Sequence, residues 1–98
     1  MLILNCAGRE NMFIILTYDF NEKRVQKALK ICRKYLKWVQ NSVFEGNITF
    51  SKLEILKNEL STVMDKNEDS VRIYILKDER FVDKEIIGLK KEEDYEFI

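Results

Sequence analysis

The chain has no histidine and no proline, and only two of its 98 residues are cysteine. Without histidine there is no Ser-His-Asp or Cys-His catalysis, no histidine zinc site and no histidine general base. Any chemistry must use carboxylates, a metal-bound water, Lys, Arg, Tyr or Ser. Cys6 and Cys32 lie far apart with no metal-ligand spacing. Cys32 falls on an apolar helical stripe, so both are read as reduced thiols of a cytoplasmic protein. A net charge of one sign is also lacking, since 17 basic residues balance 17 acidic ones, and global charge therefore announces no nucleic-acid partner. The opening MLIL run is too short to span a bilayer and is broken by Arg9-Glu10-Asn11, so no membrane partner is expected.

What is present is 46% hydrophobic and 35% charged residues, which describes one compact domain with a modest two-layer core. The charge is unevenly placed. Seven lysines and arginines lie between Lys23 and Lys37 with no acid among them, whereas Asp83 to Glu96 carries six acids against three lysines.

Met12 to Phe20 is an apolar, β-branched run of strand length, with Asp19 near its end and Asn21 placed to cap a helix. From Glu22 to Leu36, Val25, Ala28, Leu29, Cys32 and Leu36 recur at helical spacing, which sets Lys23, Lys27, Lys30, Lys34 and Lys37 on the opposite face. Trp38 to Gln40 and Val43 to Ile48 are short strand-like pieces. Asn41-Ser42 between them suits a tight hairpin, and a single bent strand fits the same residues. Gly46 is placed to let the backbone bend toward the next helix. Thr49 caps that helix, whose buried face is Leu53, Leu56, Leu60, Val63 and Met64. Residues 65 to 69 form a loop, and Ser70 to Leu76 alternates as a last strand with Val71, Ile73 and Ile75 on one side.

The order predicts an α+β fold, a ferredoxin-like βαββαβ sandwich with both helices on one face of the sheet. Its other face lacks a covering layer, so we expect a homodimer with the sheets facing each other. The step Ile86-Ile87-Gly88 is expected to add a C-terminal strand that pairs with the partner's sheet edge.

Tyr18-Asp19 at a strand end, Gln40 to Gly46 (QNSVFEG) at the hairpin and Asp69 to Tyr74 (DSVRIY) in the last strand together resemble the CRISPR-associated protein 2 family. The resemblance covers residues 12 to 88, leaving 1–11 as an N-terminal extension and 89–98 as an acidic tail. It implies a homodimeric subunit that bridges copies of the CRISPR integrase during acquisition of new spacers. It also implies Mg2+-dependent ribonuclease or deoxyribonuclease activity in some members. Carried over by residue, Asp19 matches the acidic metal-binding position and Tyr18 its neighbour. Arg24 matches a basic position on the first helix, and Ser42 and Phe44 match hairpin positions beside the metal. Gln26 and Trp38 stand where some nuclease members carry arginines, a departure that bears on ribonuclease activity.

For Asp19 the plain role is an acid ending a strand, favoured by a helix dipole. As a metal ligand it would need its counterpart across a dimer axis, because two carboxylates repel until a hard cation bridges them. Such a cation would lower the pKa of bound water, and Arg24 would stabilise developing phosphorane charge unless a helix-flank salt bridge occupies it. The unmixed lysine stripe suits a phosphate backbone without sequence readout. Two functions stand side by side: a DNA-bridging scaffold of the integrase that binds duplex DNA, and a metal-dependent endonuclease acting on RNA, including single-stranded RNA, or on DNA. An unrelated ligand-sensing dimer is the third. The acidic tail, with Tyr95, Phe97 and Ile98 among its carboxylates, suits docking to a basic, grooved partner.

Overall fold

A computed structural model of the chain describes residues 11–88. The acidic tail, Cys6 and most of the N-terminal extension lie outside the described residues. The elements run β1 (Asn11–Asp19), α1 (Val25–Arg33), β2 (Lys37–Gln40), β3 (Val43–Thr49), α2 (Phe50–Val63) and β4 (Ser70–Leu76), followed by a single 3₁₀ turn at Glu79–Phe81. The four strands form one antiparallel sheet in the order β2-β3-β1-β4. Two split strand-helix-strand units interlock to give this order, which is the ferredoxin-like arrangement.

Alternation along β1 divides the sheet into two faces. Ile14, Leu16 and Tyr18 point to the helices and meet Phe44 and Ile48 of β3. Ala28, Cys32 and Leu36 descend on them from the α1 side, and Leu53, Leu56 and Leu60 from α2. The i, i+3, i+4 spacing of those residues is what buries one stripe of each helix. Cys32 is free and fully buried, and burial pushes its thiol up to about 12.

Helix α1 is shorter than its apolar stripe. Residues 22–24 form a turn in which the Asn21 side chain accepts from the Lys23 N–H at 2.9 Å. The Asn21 carbonyl accepts from the N–H groups of both Arg24 and Val25. At the other end the bonds tighten to the i→i+3 type, Lys34 N–H to Ile31 and Tyr35 N–H to Cys32. Consequently Lys37 does not continue the lysine stripe: it opens β2, in register with Glu45.

The hairpin, rather than a bent strand, is what forms at Asn41-Ser42. Asn41 takes a left-handed φ of 41°, which an Asn tolerates better than most residues. The ladder beside it is irregular between Trp38 and Gln40. Gly46 does not bend the chain toward α2. It sits mid-strand opposite Ile14, where a Cβ would come within 3.4 Å of Leu36 Cδ2. The absent side chain makes room for Leu36. Thr49 caps α2 as expected, accepting from the Lys52 N–H at 3.2 Å.

Val71, Ile73 and Ile75 share one side of β4, in register with Tyr18, Leu16 and Ile14 of β1, although Ile75, near the end of an edge strand, is 58% exposed. One expectation about the sheet needs correction. The open face is not bare, because the chain's own C-terminal segment folds back over it. Lys84 Nζ reaches Glu45 at 2.7 Å and lies 5.4 Å above the Phe13 ring, and Asn47 donates to Glu79 at 3.3 Å. Phe13 is thereby buried on the face away from the helices. The strand expected at Ile86-Ile87-Gly88 is not formed within the single chain, where residues 82–88 lie outside any strand. Among the described residues no helix is long and apolar enough to cross a membrane.

Leu56 is fully buried at the middle of the core. Leu56→Ala should cost about 2–5 kcal/mol of unfolding free energy, read as a lower urea midpoint with an unchanged slope.

Candidate functional site

The site is built where β1 ends and α1 begins. Asp19, in register with Ser70 of β4, is exposed, and no hydrogen bond or ion pair engages its carboxylate among the described residues. Tyr18 points the other way. Its ring is edge-on to Phe20, with centroids 5.5 Å apart, and 6.0 Å from Phe44. Burial pushes the Tyr18 hydroxyl up to about 12, so it stays protonated at neutral pH. Phe44 is 0% exposed in the single chain; it supports Tyr18 from inside the core and meets no solvent. Ser42 is brought to the same strand end by the hairpin, its carbonyl accepting the Tyr18 N–H at 3.1 Å.

Arg24 is engaged rather than free. Its Nε donates to Asp69 Oδ2 at 2.6 Å, and its Nη2 donates to Asp69 Oδ1 at 3.1 Å and to Glu68 at 2.8 Å. The Asp69 side chain is fully enclosed. It also accepts from the backbone N–H of Asn21 at 2.8 Å and of Asp65 at 2.9 Å. One carboxylate thus ties the β1–α1 turn, the Arg24 guanidinium and the α2–β4 loop together. The Arg24 contact, aided by the two backbone donors, holds the Asp69 carboxyl well below the usual carboxylate range. The helix-flank salt bridge foreseen as the alternative for Arg24 is the arrangement found. Asp69 was legible only as one letter of DSVRIY; nothing in its loop, DKNED, distinguishes it from the other acids.

The five lysines are all exposed, but they are not equivalent. Lys23 lies in the turn before α1, Lys27 and Lys30 lie on the helix, and none of the three has an ion pair among the described residues. Lys34 pairs with Glu59, which also accepts from the Tyr35 hydroxyl. These contacts raise the Lys34 and Tyr35 pKa values and lower that of Glu59. Lys37 is set apart on β2.

No group of three or more His, Cys, Asp or Glu side chains is placed to share a metal ion among the described residues. Asp19 fits a hard cation as a single ligand, with its oxygens unengaged. The rest of an octahedral shell would come from water, a phosphate or a second chain.

Fold and site define a ferredoxin-like single-domain protein with an exposed acid at the end of its first strand and basic side chains on its first helix. The model of CRISPR associated protein Cas2 matches residues 12–84, and the chain belongs to that family. It is 53% identical over 83 residues to the CRISPR-associated endoribonuclease Cas2 of Thermotoga maritima, covering 85% of this chain and 95% of that one. It is 43% identical over 89 residues to the protein of the same name from Methanocaldococcus jannaschii, covering 91% and 78%. A crystal structure of Cas2 superposes with a TM-score of 0.76 at 37% identity, covering 83% and 91%. Cas2 of Streptococcus pyogenes superposes at 0.68 and 35%, covering 79% and 100%.

The depressed Asp69 carboxyl has a signed consequence. Its stabilising contribution is complete above the unfolded-state pKa near 3.9 and is lost as pH falls toward the lower folded-state value. Urea denaturation from pH 7 to pH 2 should show Asp69→Asn less stable than wild type at neutral pH. The gap between the two should narrow as pH falls below about 4.

Proposed function

We propose that this chain is a homodimeric subunit of the CRISPR adaptation apparatus that binds duplex DNA and bridges integrase subunits. The observation that carries the reading is the set of cations at Lys23, Lys27 and Lys30, which face solvent without an ion pair among the described residues and belong to a run from Lys23 to Lys37 that contains no acid. Such a surface follows a phosphate backbone and reads no sequence. The integrase and the spacer-acquisition role come from the family, and the facing-sheet dimer from the remaining apolar exposure of the sheet, including Tyr74, which is 49% exposed.

A second reading, Mg2+-dependent cleavage of RNA or DNA, is supported by the endoribonuclease names of the relatives and by the unengaged carboxylate of Asp19. A bound Mg2+ would polarise phosphate and activate water. In this chain Asp19 would hold it, with the second carboxylate supplied by a partner copy. Ser42 would lie at the rim. Arg24, committed to Asp69 and Glu68, would position the turn that carries Asp19 more than it would meet phosphate. Tyr18 and Phe44 would act through packing. One metal-holding carboxylate per chain is a sparse cleavage apparatus, and this favours the scaffold reading.

Removing the charges of Lys23, Lys27 and Lys30 together should lower duplex affinity and reduce the slope of log affinity against log salt by up to about three. Adding Lys34→Ala should change the slope little, since Glu59 already holds that lysine. An unchanged slope in the triple variant would reject the lysine surface.

Asp19→Asn should abolish any Mg2+-stimulated cleavage of RNA or duplex DNA while leaving the far-ultraviolet circular dichroism and sedimentation of the protein unchanged. Full cleavage by that folded variant would remove Asp19 from the site.

A further inference from the structure

A recess lies between α1 and the β2–β3 turn, about 440 Å³ in volume and lined by Val25, Gln26, Leu29, Arg33, Trp38 and Ser42 among others. Its size falls within the range of about 300–1,000 Å³ found for small-molecule sites. We propose that this cleft receives one unstacked base of single-stranded nucleic acid, with Trp38 stacking on the base and Arg33 meeting the adjoining phosphate.

Four observations carry the assignment. Val25 and Leu29, packed against the core, give the recess an apolar floor in part of its lining. The indole is fixed in place, because Trp38 Nε1 donates to the Asn41 carbonyl at 2.9 Å across the hairpin turn. A tethered flat ring loses little freedom when a second ring stacks on it. Arg33, in the last turn of α1, is exposed and has no ion pair among the described residues, in contrast to Arg24 and Lys34. The Gln26 amide and the Ser42 hydroxyl at the rim can donate to and accept from the edges of a heteroaromatic ring.

Position supplies the rest of the argument. At about 100° per residue, Gln26 and Arg33 lie almost on one line along α1, with Lys30 roughly 50° away. A strand following the lysines therefore passes the mouth of the cleft. A base within a duplex is stacked on both faces and cannot enter, whereas an unpaired one can offer its face to an aromatic side chain. An acidic peptide would satisfy Arg33 but would leave the ring and the apolar floor unused. The proposal depends on neither Asp19 nor a metal, and the duplex surface can fail while this one stands.

Trp38 is the sole tryptophan, so its fluorescence reports the cleft directly. We would titrate the full chain in EDTA at low salt with a twelve-residue oligothymidylate, an abasic oligomer with the same number of phosphates, a duplex of equal length, and free thymidine monophosphate. The expected result is strong, saturable quenching by the oligothymidylate and little by the other three. Stacking energies of about 1–3 kcal/mol per base correspond to an affinity loss of roughly 5- to 150-fold for labelled oligothymidylate on Trp38→Leu, with Trp38→Phe retaining most of it. Arg33→Gln should weaken binding of the base-bearing and abasic oligomers alike and lower the salt slope by about one. Equal quenching by the abasic oligomer or the duplex would overturn the proposal. So would saturation by the free nucleotide as tight as that by the oligomer, which would mark a mononucleotide site. These wild-type titrations decide the matter even if Trp38→Leu fails to fold.

Discussion

The enclosed carboxylate of Asp69 is the constraint around which the functional end of the molecule is arranged. A buried charge is tolerated only when paired and fully hydrogen-bonded, and Asp69 meets both conditions with donors from two separate stretches of chain, the β1–α1 turn and the α2–β4 loop. Because Ser70 next to it pairs with Asp19, the same few residues set the strand register and the path of the turn that follows. Arg24 is the obligatory counter-charge. Its role is to let a carboxylate be buried there, and this makes it unlike Lys27 and Lys30 a few residues further along the chain, which have no ion pair among the described residues.

That division among cations organises the surface. Arg24 and Lys34 are taken up by Asp69, Glu68 and Glu59, which ties α1 to the α2–β4 loop and to α2. Lys23, Lys27, Lys30 and Arg33 are left toward solvent. A helix that must both pack and present charge can do so because the paired cations flank its buried stripe, while the others stand away from it. The sequence run contains seven cations without showing which are committed.

Much of the fold was legible because its signals are periodic. The apolar stripes of α1 and α2, the β-branched run of β1 and the Thr49 cap all follow from spacing that local geometry dictates. The misplacements have a common cause, which is tertiary contact. The extent of α1 was overdrawn because Leu36 belongs to its apolar stripe yet reaches the core after the helix has ended, and this carried Lys37 into the wrong element. Gly46 was read as a bend because a glycine's use depends on what lies against it, and Leu36 is distant in sequence. The placement of Asp19, Tyr18 and Ser42 at one end of the sheet was legible through the family resemblance. The identity of the Arg24 partner was not, since a carboxylate 45 residues away leaves no local mark. Asp69 was hidden for the same reason.

The strap formed by Lys84 over Phe13 bears on how anything else can reach that side of the sheet. A covering segment joined to the sheet through a short stretch of the same chain acts at an effective concentration in the millimolar range. A free second molecule present at micromolar levels competes poorly with it for the same contacts. A second chain associating at that face would therefore have to pack over the strap and enlarge its apolar cover, or trade equivalent segments so that neither sheet is uncovered during the exchange. In either case the ion pair of Lys84 with Glu45 would act as a latch on the encounter, strongest at low salt and weaker as ionic strength rises.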